Sequence, residues 1–307
     1  MTLSIVKIDK CPICKKNSHL STLISKPFSD QRLLSLLIDR YDGNLTRNDV
    51  GGYSFELVYC SECNHIFQAC VPSEHLVKKI YTYPQSRIAE SLRKRTHAKV
   101  KYYIKNARLV EIMGFLIGTT IPQEKNIFDF GMGWGSYLFM AKAYGYNVCG
   151  LEVSKERTEF AVEMGIPCVA SLAALGDRKF DFIHSDQTLE HLNYPLETLR
   201  EIAHYLKPDG VVFLSVPNGS WTLEQIKRGG YDLFRKITYP LEHVNCFSHS
   251  SLVKMADIAG LKPMPPYMLF FKLVRNISIK DNLYILQYLI RMMFRLRKST
   301  DLYFIKK

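Results

Sequence analysis

Short apolar runs alternate with amphipathic helical segments in the part of the chain that follows Pro122. Each run has the length and the content of Val, Ile and Phe that are typical of a buried strand, and a stretch with helical spacing follows most of them. In chain order the runs are Asn126–Phe130, Tyr146–Glu152, Gly165–Ala170, Phe180–Asp186 and Val211–Pro217. An alternation of strands and helices indicates a parallel sheet covered by helices on both faces. The pattern predicts an α/β fold with a doubly wound sheet.

The first 80 residues have a different pattern. They contain one clear strand signal, the aromatic segment Tyr53–Cys60, which follows a Gly-Gly turn. Four of their five cysteines stand in two close pairs. These features predict a small domain with a weak apolar core over residues 1–80.

The segment between the two patterns reads as a helix. From Ser86 to Met113 the spacing is helical, and Tyr103 and Ile104 belong to its apolar face. We therefore expect a connecting helical segment at residues 81–113 and a large domain at residues 114–307.

The C-terminal part combines strand signals with a basic, apolar segment. We expect a sixth strand near Tyr267–Leu273 and a last strand at Asp301–Ile305. Between them, residues 282–298 predict a basic helix with Leu, Ile and Met on its apolar face. Three interpretations stay open for this helix: packing within its own domain, contact with a second subunit in a homodimer, and peripheral contact with an anionic membrane surface.

Composition and charge narrow the class of protein. The chain of 307 residues has 47% hydrophobic and 23% charged residues, which is typical of a soluble globular protein. No apolar run reaches the ~18 residues of a membrane-spanning helix, and no signal peptide is recognisable at the N-terminus. A cytoplasmic location is expected. The net charge of +12 is uneven, because residues 111–260 hold 13 Lys and Arg against 18 Asp and Glu while both flanking parts are basic.

Two Cys-x-x-Cys motifs predict a metal site in the first domain. Cys11 pairs with Cys14, Cys60 pairs with Cys63, and 45 residues separate the two motifs. Four thiolates from two such turns form a closed tetrahedral zinc site. A redox role is disfavoured because neither motif opens a helix after a strand, and disulfides are disfavoured in a reducing compartment. We therefore expect a structural Zn²⁺ ion.

A glycine-rich turn follows the first strand of the large domain. Gly131, Gly133 and Gly135 remove side chains at the start of the next helix, where a backbone can approach a nucleotide-like cofactor. Glu152, which closes the next strand, is placed to accept both ribose hydroxyls of that cofactor. Asp129 stands before the glycines and suits a cofactor with a cationic amino-acid end.

With these motifs the chain resembles the class I S-adenosylmethionine-dependent methyltransferases. The resemblance is carried by D-F-G-M-G-W-G at Asp129–Gly135, by Glu152, and by Lys179–Leu192, Leu206–Asn218 and Leu241–Ser248. It implies a seven-stranded Rossmann-like methyltransferase sheet. The cofactor residues that it implies are Asp129, Gly131, Gly133, Gly135 and Glu152, with Ser171 and Leu172 at the adenine and Asp186 and Gln187 at the methionine moiety.

The cysteine motifs followed by Tyr81-Thr-Tyr83 are also similar to a narrower group. These methyltransferases have an N-terminal zinc-binding domain and modify nucleotide-linked sugars or precursors of polysaccharides and natural products. Members that methylate a sugar carbon carry a Tyr three residues before the histidine of a Glu-His motif. In this chain the corresponding position, three residues before His243, is Pro240. This departure disfavours carbon methylation, and oxygen and nitrogen acceptors are equally open.

Two Glu-His pairs are candidates for the proton step of the reaction. His191 follows Glu190, and His243 follows Glu242, each after a strand of the predicted sheet. Histidine suits proton transfer near neutral pH. We expect His243, His191 and Glu242 to be the catalytic residues, whereas packing of the helix and joint binding of a divalent metal are the alternatives.

The acceptor is expected to be a small molecule that contains a sugar. Tyr83 and Trp221 are the candidate substrate residues, since Trp221 belongs to an aromatic excursion of 24 residues before Leu241. An RNA methyltransferase that uses the basic zinc domain is the alternative function. The acidic charge of residues 111–260 argues against it.

Overall fold

The structure is a computed structural model that describes residues 4–80, 100–118, 121–229, 231–232, 236–265, 268 and 299–307. It divides into two compact units, each built from several chain segments. The first unit comprises Met1–Thr96, Leu189–Pro195 and Pro217–Met255. The second unit comprises His97–Thr188, Leu196–Val216 and Ala256–Lys307.

The described residues form strands in both units. In chain order the strands are β1 (Ile5–Lys7), β2 (Leu20–Pro27), β3 (Ser54–Cys60), β4 (His65–Gln68), β5 (Cys70–Pro72), β6 (Asn126–Phe130), β7 (Asn147–Leu151), β8 (Cys168–Val169), β9 (Phe180–Asp186), β10 (Leu206–Pro217), β11 (Asn245–Cys246), β12 (Leu261–Pro263) and β13 (Ser299–Lys306). The strands that were expected at Asn126–Phe130, Phe180–Asp186 and Asp301–Ile305 are confirmed within one or two residues of their ends.

The α-helices of the described residues are numbered in the same way. They are α1 (Gln31–Arg40), α2 (Arg47–Val50), α3 (Glu74–Ile80), α4 (Val100–Ile117), α5 (Ser136–Ala143), α6 (Lys155–Glu163), α7 (Pro195–Tyr205), α8 (Thr222–Lys227) and α9 (His249–Ile258). Short 3-10 helices lie at Leu172–Leu175 and Leu189–His191, among others.

The second unit contains the predicted doubly wound sheet. Its seven strands lie in the order β12-β13-β10-β9-β6-β7-β8. The five strands from β10 to β8 are parallel, and β12 is antiparallel to β13. β6, which carries the first motif residues, lies between β9 and β7, and Asp129 is in register with His184 of β9. The predicted fold class is confirmed, and the strand expected near Tyr267–Leu273 lies almost wholly outside the described residues.

Helix α4 packs on this sheet through its C-terminal half. Val110, Met113 and Leu116 are buried in the core of the second unit. In its N-terminal half, Tyr103 and Ile104 of the expected apolar face are 48% and 42% exposed. Val110, Met113 and Leu116 follow one another at intervals of three residues and therefore lie on one face of the helix. This buried face belongs to the C-terminal half of the helix.

The first unit is built on an antiparallel sheet in the order β11-β4-β3-β2 and on the pair β1-β5. Its core combines Phe28, Leu37 and Phe55 with Leu241 and Cys246, which come from a distant part of the chain. β11 pairs with β4, so that Cys246 lies opposite Ile66. This pairing joins the segments 189–195 and 217–255 to the first unit, whereas the predicted boundaries placed them in the large domain. The pairing joins segments that are far apart in the sequence, and no local sequence pattern predicts it.

No helix in the described ranges is long and apolar enough to cross a membrane. The basic segment 282–298 and Tyr83, both of which are predictions above, lie outside the described residues.

Candidate functional site

The glycine turn connects β6 to α5 with three left-handed backbone conformations. Gly131, Gly133 and Gly135 have φ values of +78°, +57° and +73°, which side chains rarely adopt. A Cβ atom at Gly131 would lie 2.3 Å from Oγ1 of Thr188, whereas a Cβ at Gly133 would have no neighbour within 4 Å. Gly131 is therefore required by packing within the protein. Gly133 leaves open space beside the backbone.

Glu152 stands directly after β7 with its carboxylate largely fixed. Its Oε1 accepts hydrogen bonds from the backbone N–H groups of Val153 (3.0 Å) and Ser154 (2.9 Å). Its Oε2 lies 3.6 Å from Nη1 of Arg157, whose guanidinium stands over the ring of Trp134 in the glycine turn. Glu152 is 8% exposed. This arrangement presents one carboxylate oxygen on the β7 side of the glycine turn.

Asp129 pairs with a histidine that the sequence patterns did not single out. Nδ1–H of His184 donates to Oδ1 of Asp129 over 2.8 Å, and both side chains are buried. The His184 ring stacks on Tyr137 and on Phe213, with centroids 4.0 and 5.3 Å apart. Burial by itself lowers the pKa of His184, but the charge and hydrogen bond of Asp129 outweigh it and hold this pKa above its usual value. Asp129 is thus held in a fixed orientation by a buried histidine.

The remaining candidate cofactor residues follow strands of the same sheet. Asp186 ends β9, and the exposed Gln187 has a left-handed φ of +55° while its N–H donates to the Ser215 carbonyl. Ser171 is exposed, and Leu172 is buried at the start of the 3-10 helix after β8. All nine candidate cofactor residues belong to the second unit.

The four motif cysteines of the first unit lie together. Their four sulfur atoms are within 4.8 Å of one another, and Sγ of Cys14 is 3.7 Å from Sγ of Cys60. Four sulfur ligands at about 2.3 Å from a zinc ion would be about 3.8 Å apart in a tetrahedron. All eight cysteines of the chain are free thiols. The cluster therefore has the dimensions of a four-cysteine metal site, as the motif spacing predicted.

The two cysteine turns have the same backbone shape. Lys15 follows Cys14 with a φ of +60°, and Asn64 follows Cys63 with a φ of +51°. In the first turn, the Ile13 N–H donates to Sγ of Cys11 over 3.4 Å. A hydrogen bond from the Cys63 thiol, with help from the nearby backbone N–H groups, lowers the pKa of Cys11 to about 5. Burial and the neighbouring cysteines instead raise the pKa of Cys60 and of Cys63, so that within this group the thiolate form is favoured at Cys11.

His65 is not part of this cluster. It is fully buried, donates from Nε2 to Oδ1 of Asn245 over 3.1 Å and packs against Phe247. Asn245 in turn donates to the carbonyl of Leu192 over 2.6 Å. The histidine beside the second cysteine motif therefore joins two distant segments of the first unit.

The two candidate catalytic histidines lie side by side in the first unit. The rings of His191 and His243 are nearly perpendicular, with centroids 4.7 Å apart. Nδ1–H of His191 donates to the carbonyl of Glu242 over 2.9 Å, which leaves the lone pair on Nε2. Glu190, whose side chain is fully buried, has Oε1 3.9 Å from that Nε2. One ligand atom from each of these three residues lies within 4.8 Å of the other two.

Glu242, the third candidate catalytic residue, has its carboxylate in an ion pair. Arg40 of α1 donates to both of its oxygens over 2.8 to 3.0 Å and also lies over the ring of Tyr239. Within the pair of Glu-His motifs, it is therefore Glu190 that lies beside the two imidazoles. The two glutamates differ in burial, because Glu190 is fully buried and Glu242 is partly exposed. The Glu-His motif is the same in both places and does not reveal this difference.

Gln68 fixes the loop that carries His243. Its amide nitrogen donates to the carbonyls of Tyr239 and His243, both over 2.9 Å, and its amide oxygen accepts the N–H of Leu241 over 3.0 Å. Gln68 is 1% exposed. Sequence reasoning missed this residue and Arg40, because both come from parts of the chain more than 170 residues before the loop. Trp221 lies at the N-terminal end of α8 and is 66% exposed.

The chain matches one family model over more than half of its length. The model is described as a methyltransferase domain and matches residues 101–264. The matched region contains the glycine turn, Glu152 and both Glu-His pairs.

Curated proteins with similar sequences are small-molecule methyltransferases by name. The ubiquinone biosynthesis O-methyltransferase of Serratia proteamaculans is 26% identical over 51% of this chain and 73% of its own length. The phosphoethanolamine N-methyltransferase 1 of Arabidopsis thaliana is 30% identical over 36% of this chain, which is 26% of its own length.

The fold has a solved counterpart. The plantazolicin methyltransferase BpumL, in a complex with a triazolic desmethylPZN analog and SAH, aligns with a TM-score of 0.50 and 15% identity. The alignment covers 74% of this chain and 93% of that one. At this identity the likeness concerns the fold.

Proposed function

The chain belongs to the methyltransferase-domain family and is an S-adenosylmethionine-dependent methyltransferase, and from that premise we propose that it methylates a small acceptor that contains a sugar. The observation that carries the chemical part of the proposal, proton removal from the acceptor, is the pair His191 and His243, whose ring centroids are 4.7 Å apart. A methyl transfer to a hydroxyl needs a group that takes the proton, and imidazole suits that step near neutral pH.

The cofactor would be held by residues of the second unit. When bound, S-adenosylmethionine supplies a methyl group on a cationic sulfur. Gly133 leaves space for its approach, Glu152 accepts from the ribose hydroxyls, and Asp129, held by His184, lies by its amino end. Gly131 and Gly135 shape the turn. Ser171 and Leu172 flank the adenine, and Asp186 and Gln187 face the methionine part.

His243 would take the proton from the acceptor, with His191 as its neighbour. Gln68 holds the His243 carbonyl, and Glu242 holds Nδ1 of His191 through its own carbonyl. Glu242 has a positioning role in this account, because Arg40 occupies its carboxylate. Proton transfer by a positioned base contributes ~10² to 10⁴ in rate.

The choice of a sugar-containing acceptor rests on the resemblance of the cysteine motifs and Tyr81-Thr-Tyr83 to methyltransferases of sugar and natural-product precursors. Tyr83 and Trp221 would contact this acceptor, and the exposure of Trp221 is compatible with that role. The names of the curated relatives support small molecules in general. RNA remains the second candidate because of the basic ends of the chain.

The four cysteines would hold one structural zinc ion. The grouping of the four sulfurs within 4.8 Å of one another, the distance of 3.7 Å between those of Cys14 and Cys60, and the left-handed residue after each motif support this assignment. The ion would stabilise the first unit. It would take no part in methyl transfer, since four thiolates leave no open coordination position.

A transfer assay separates the acceptor classes. The enzyme is incubated with S-adenosylmethionine labelled in its methyl group and with either a panel of nucleotide-linked sugars or total transfer RNA. The proposal expects label in a sugar nucleotide. Label in RNA, with none in any sugar, would establish the alternative.

A further inference from the structure

Glu190, His191 and His243 have the composition of a metal site in the first unit that is separate from the four cysteines. Two imidazoles and one carboxylate form the ligand set of many zinc and iron sites. Their three ligand atoms lie within 4.8 Å of one another. Ligands at about 2.0 to 2.2 Å from an ion stand roughly 3.3 Å apart. Binding of an ion would therefore need the ligand atoms to approach one another by up to about 1.5 Å through side-chain rotation.

The surroundings of His191 match those of a ligating histidine. A metal-bound histidine usually donates its second ring N–H to a carbonyl or carboxylate, which fixes the tautomer and the ring orientation. Nδ1–H of His191 donates to the Glu242 carbonyl over 2.9 Å, and the lone pair on Nε2 lies on the side of Glu190. Arg40 and Gln68 fix the loop that supplies this carbonyl.

The burial of Glu190 points the same way. Its side chain is fully buried, and a buried carboxylate is costly unless positive charge lies near it. A divalent cation bound between the three side chains would supply positive charge at this carboxylate. The cysteine cluster, with four soft ligands, is a different type of site.

We propose that Glu190, His191 and His243 bind a divalent transition-metal ion of the class of zinc, and that this ion inhibits methyl transfer. The ion takes the imidazole lone pairs, with one carboxylate as its third ligand, and no covalent bond is formed or broken in the acceptor. The inhibition rests on the proposed function, because it assumes that His243 takes the acceptor's proton. The binding of the ion does not depend on that assumption.

The direct test counts zinc ions in the full-length protein. Wild type is equilibrated with Zn²⁺, freed of excess ion by gel filtration and analysed for metal. We expect two zinc ions per chain in wild type and one in Glu190→Gln and in His243→Gln, with a loss of affinity of at least about tenfold at the second site. Glu201→Gln, an exposed glutamate of α7, is the matched control and should retain two.

Cobalt distinguishes the two sites and controls for folding. Cobalt bound by thiolates has an intense near-ultraviolet band, which cobalt bound by nitrogen and oxygen lacks. A variant that keeps the thiolate band is folded in its first unit, so the loss of its second ion is specific. A wild-type protein that binds one ion, or variants that keep both, would overturn the proposal.

The rate measurement separates this proposal from the proposed function. We expect excess Zn²⁺ to slow wild-type transfer and a weak chelator to restore it. If no second ion binds but His243→Gln is slow, the metal site is refuted and the function stands. If the second ion binds and His243→Gln has the wild-type rate, the metal site stands and the role of His243 as base is refuted.

Discussion

His184 donates a hydrogen bond from Nδ1 to Asp129 over 2.8 Å, although neither residue is more than 5% exposed. The pair joins two neighbouring strands, β9 and β6, directly below the glycine turn. A neutral His184 can still donate this hydrogen bond, whereas its charge attraction to the Asp129 carboxylate exists only when the imidazole is protonated.

The Asp129–His184 pair should make stability depend on pH. The pKa of His184 is raised in the folded state, so its contribution is full below the unfolded value of about 6.5 and is lost as pH rises through the folded value. The groups around it are Asp129 and Asp186, which favour the charged form, and Lys105, which opposes it. We expect the melting temperature of wild type, minus that of His184→Gln, to fall as pH rises above about 6.5.

Gln is the matched replacement here, because it still donates to Asp129 but does not titrate. A difference in melting temperature that stays constant from about pH 5.5 to about pH 8.5 would show that His184 keeps one protonation state throughout.

Substitution of Gly133 should weaken the binding of S-adenosylmethionine strongly and lower the free energy of unfolding only slightly. A Cβ at Gly133 meets no protein atom within 4 Å, so Gly133→Ala costs the protein only the strain of a φ of +57°, about 1–2 kcal/mol. The methyl group would occupy the space into which the cofactor fits. We expect calorimetry to show a loss of S-adenosylmethionine affinity.

Gly260→Ala is the control for that strain. Gly260 also has a positive φ, +83°, and a Cβ there also meets nothing within 4 Å. The control should melt like Gly133→Ala and bind the cofactor like wild type. Gly131→Ala should instead destabilise the fold, since its Cβ would overlap Thr188. Equal affinity in Gly133→Ala and Gly260→Ala would contradict the assignment of the turn.

Loss of one cysteine ligand should remove the structural zinc. We expect Cys60→Ser to lose zinc and unfold the first unit, because a closed thiolate site contributes directly to folding. Metal analysis and thermal melting measure the two effects. Cys70→Ala, a buried cysteine of the same unit outside the cluster, should keep its zinc. Wild type purified without chelator and free of zinc would end this claim.

Substitution of Gln68 should separate rate from cofactor binding. Gln68→Met leaves the Leu241 N–H and the carbonyls of Tyr239 and His243 without their present partner, at about 1–3 kcal/mol for each buried group that stays unsatisfied. We expect a lower melting temperature and a lower kcat, because the loop of His243 is no longer held. The dissociation constant of S-adenosylmethionine should stay within about twofold of wild type, since all candidate cofactor residues belong to the other unit.

The sequence predicts the second unit well because its signals are local. Strand β6, the glycine turn and Glu152 follow one another within 30 residues, and their periodicity and turn chemistry need no distant partner. The two cysteine motifs are also local signals, because each Cys-x-x-Cys turn supplies two metal ligands from four consecutive residues. The cluster then forms when β3 brings the second turn to the first.

The position of the His243 loop in the first unit depends on contacts between distant parts of the chain, which the sequence does not predict. The pairing of β11 with β4 moves the His243 loop into the first unit, and Gln68, His65 and Arg40 act on that loop from far away in sequence. Nothing in the local pattern marks Gln68 or Arg40, and the position of His65 beside Cys63 does not indicate its contact with Asn245. Likewise, Glu190 and Glu242 both precede a histidine and cannot be distinguished by sequence. In the structure Glu190 is buried beside the imidazoles, whereas Glu242 pairs with Arg40.

We propose that His243 takes the proton from a sugar-containing acceptor during methyl transfer. Its most direct test measures, side by side in wild type and His243→Gln, the affinity for S-adenosylmethionine and the rate at which labelled methyl reaches a nucleotide-linked sugar. For His243→Gln we expect a cofactor affinity within about twofold of wild type and a transfer rate lower by ~10² to 10⁴. An unchanged rate, or an equal loss of affinity and rate, would contradict it.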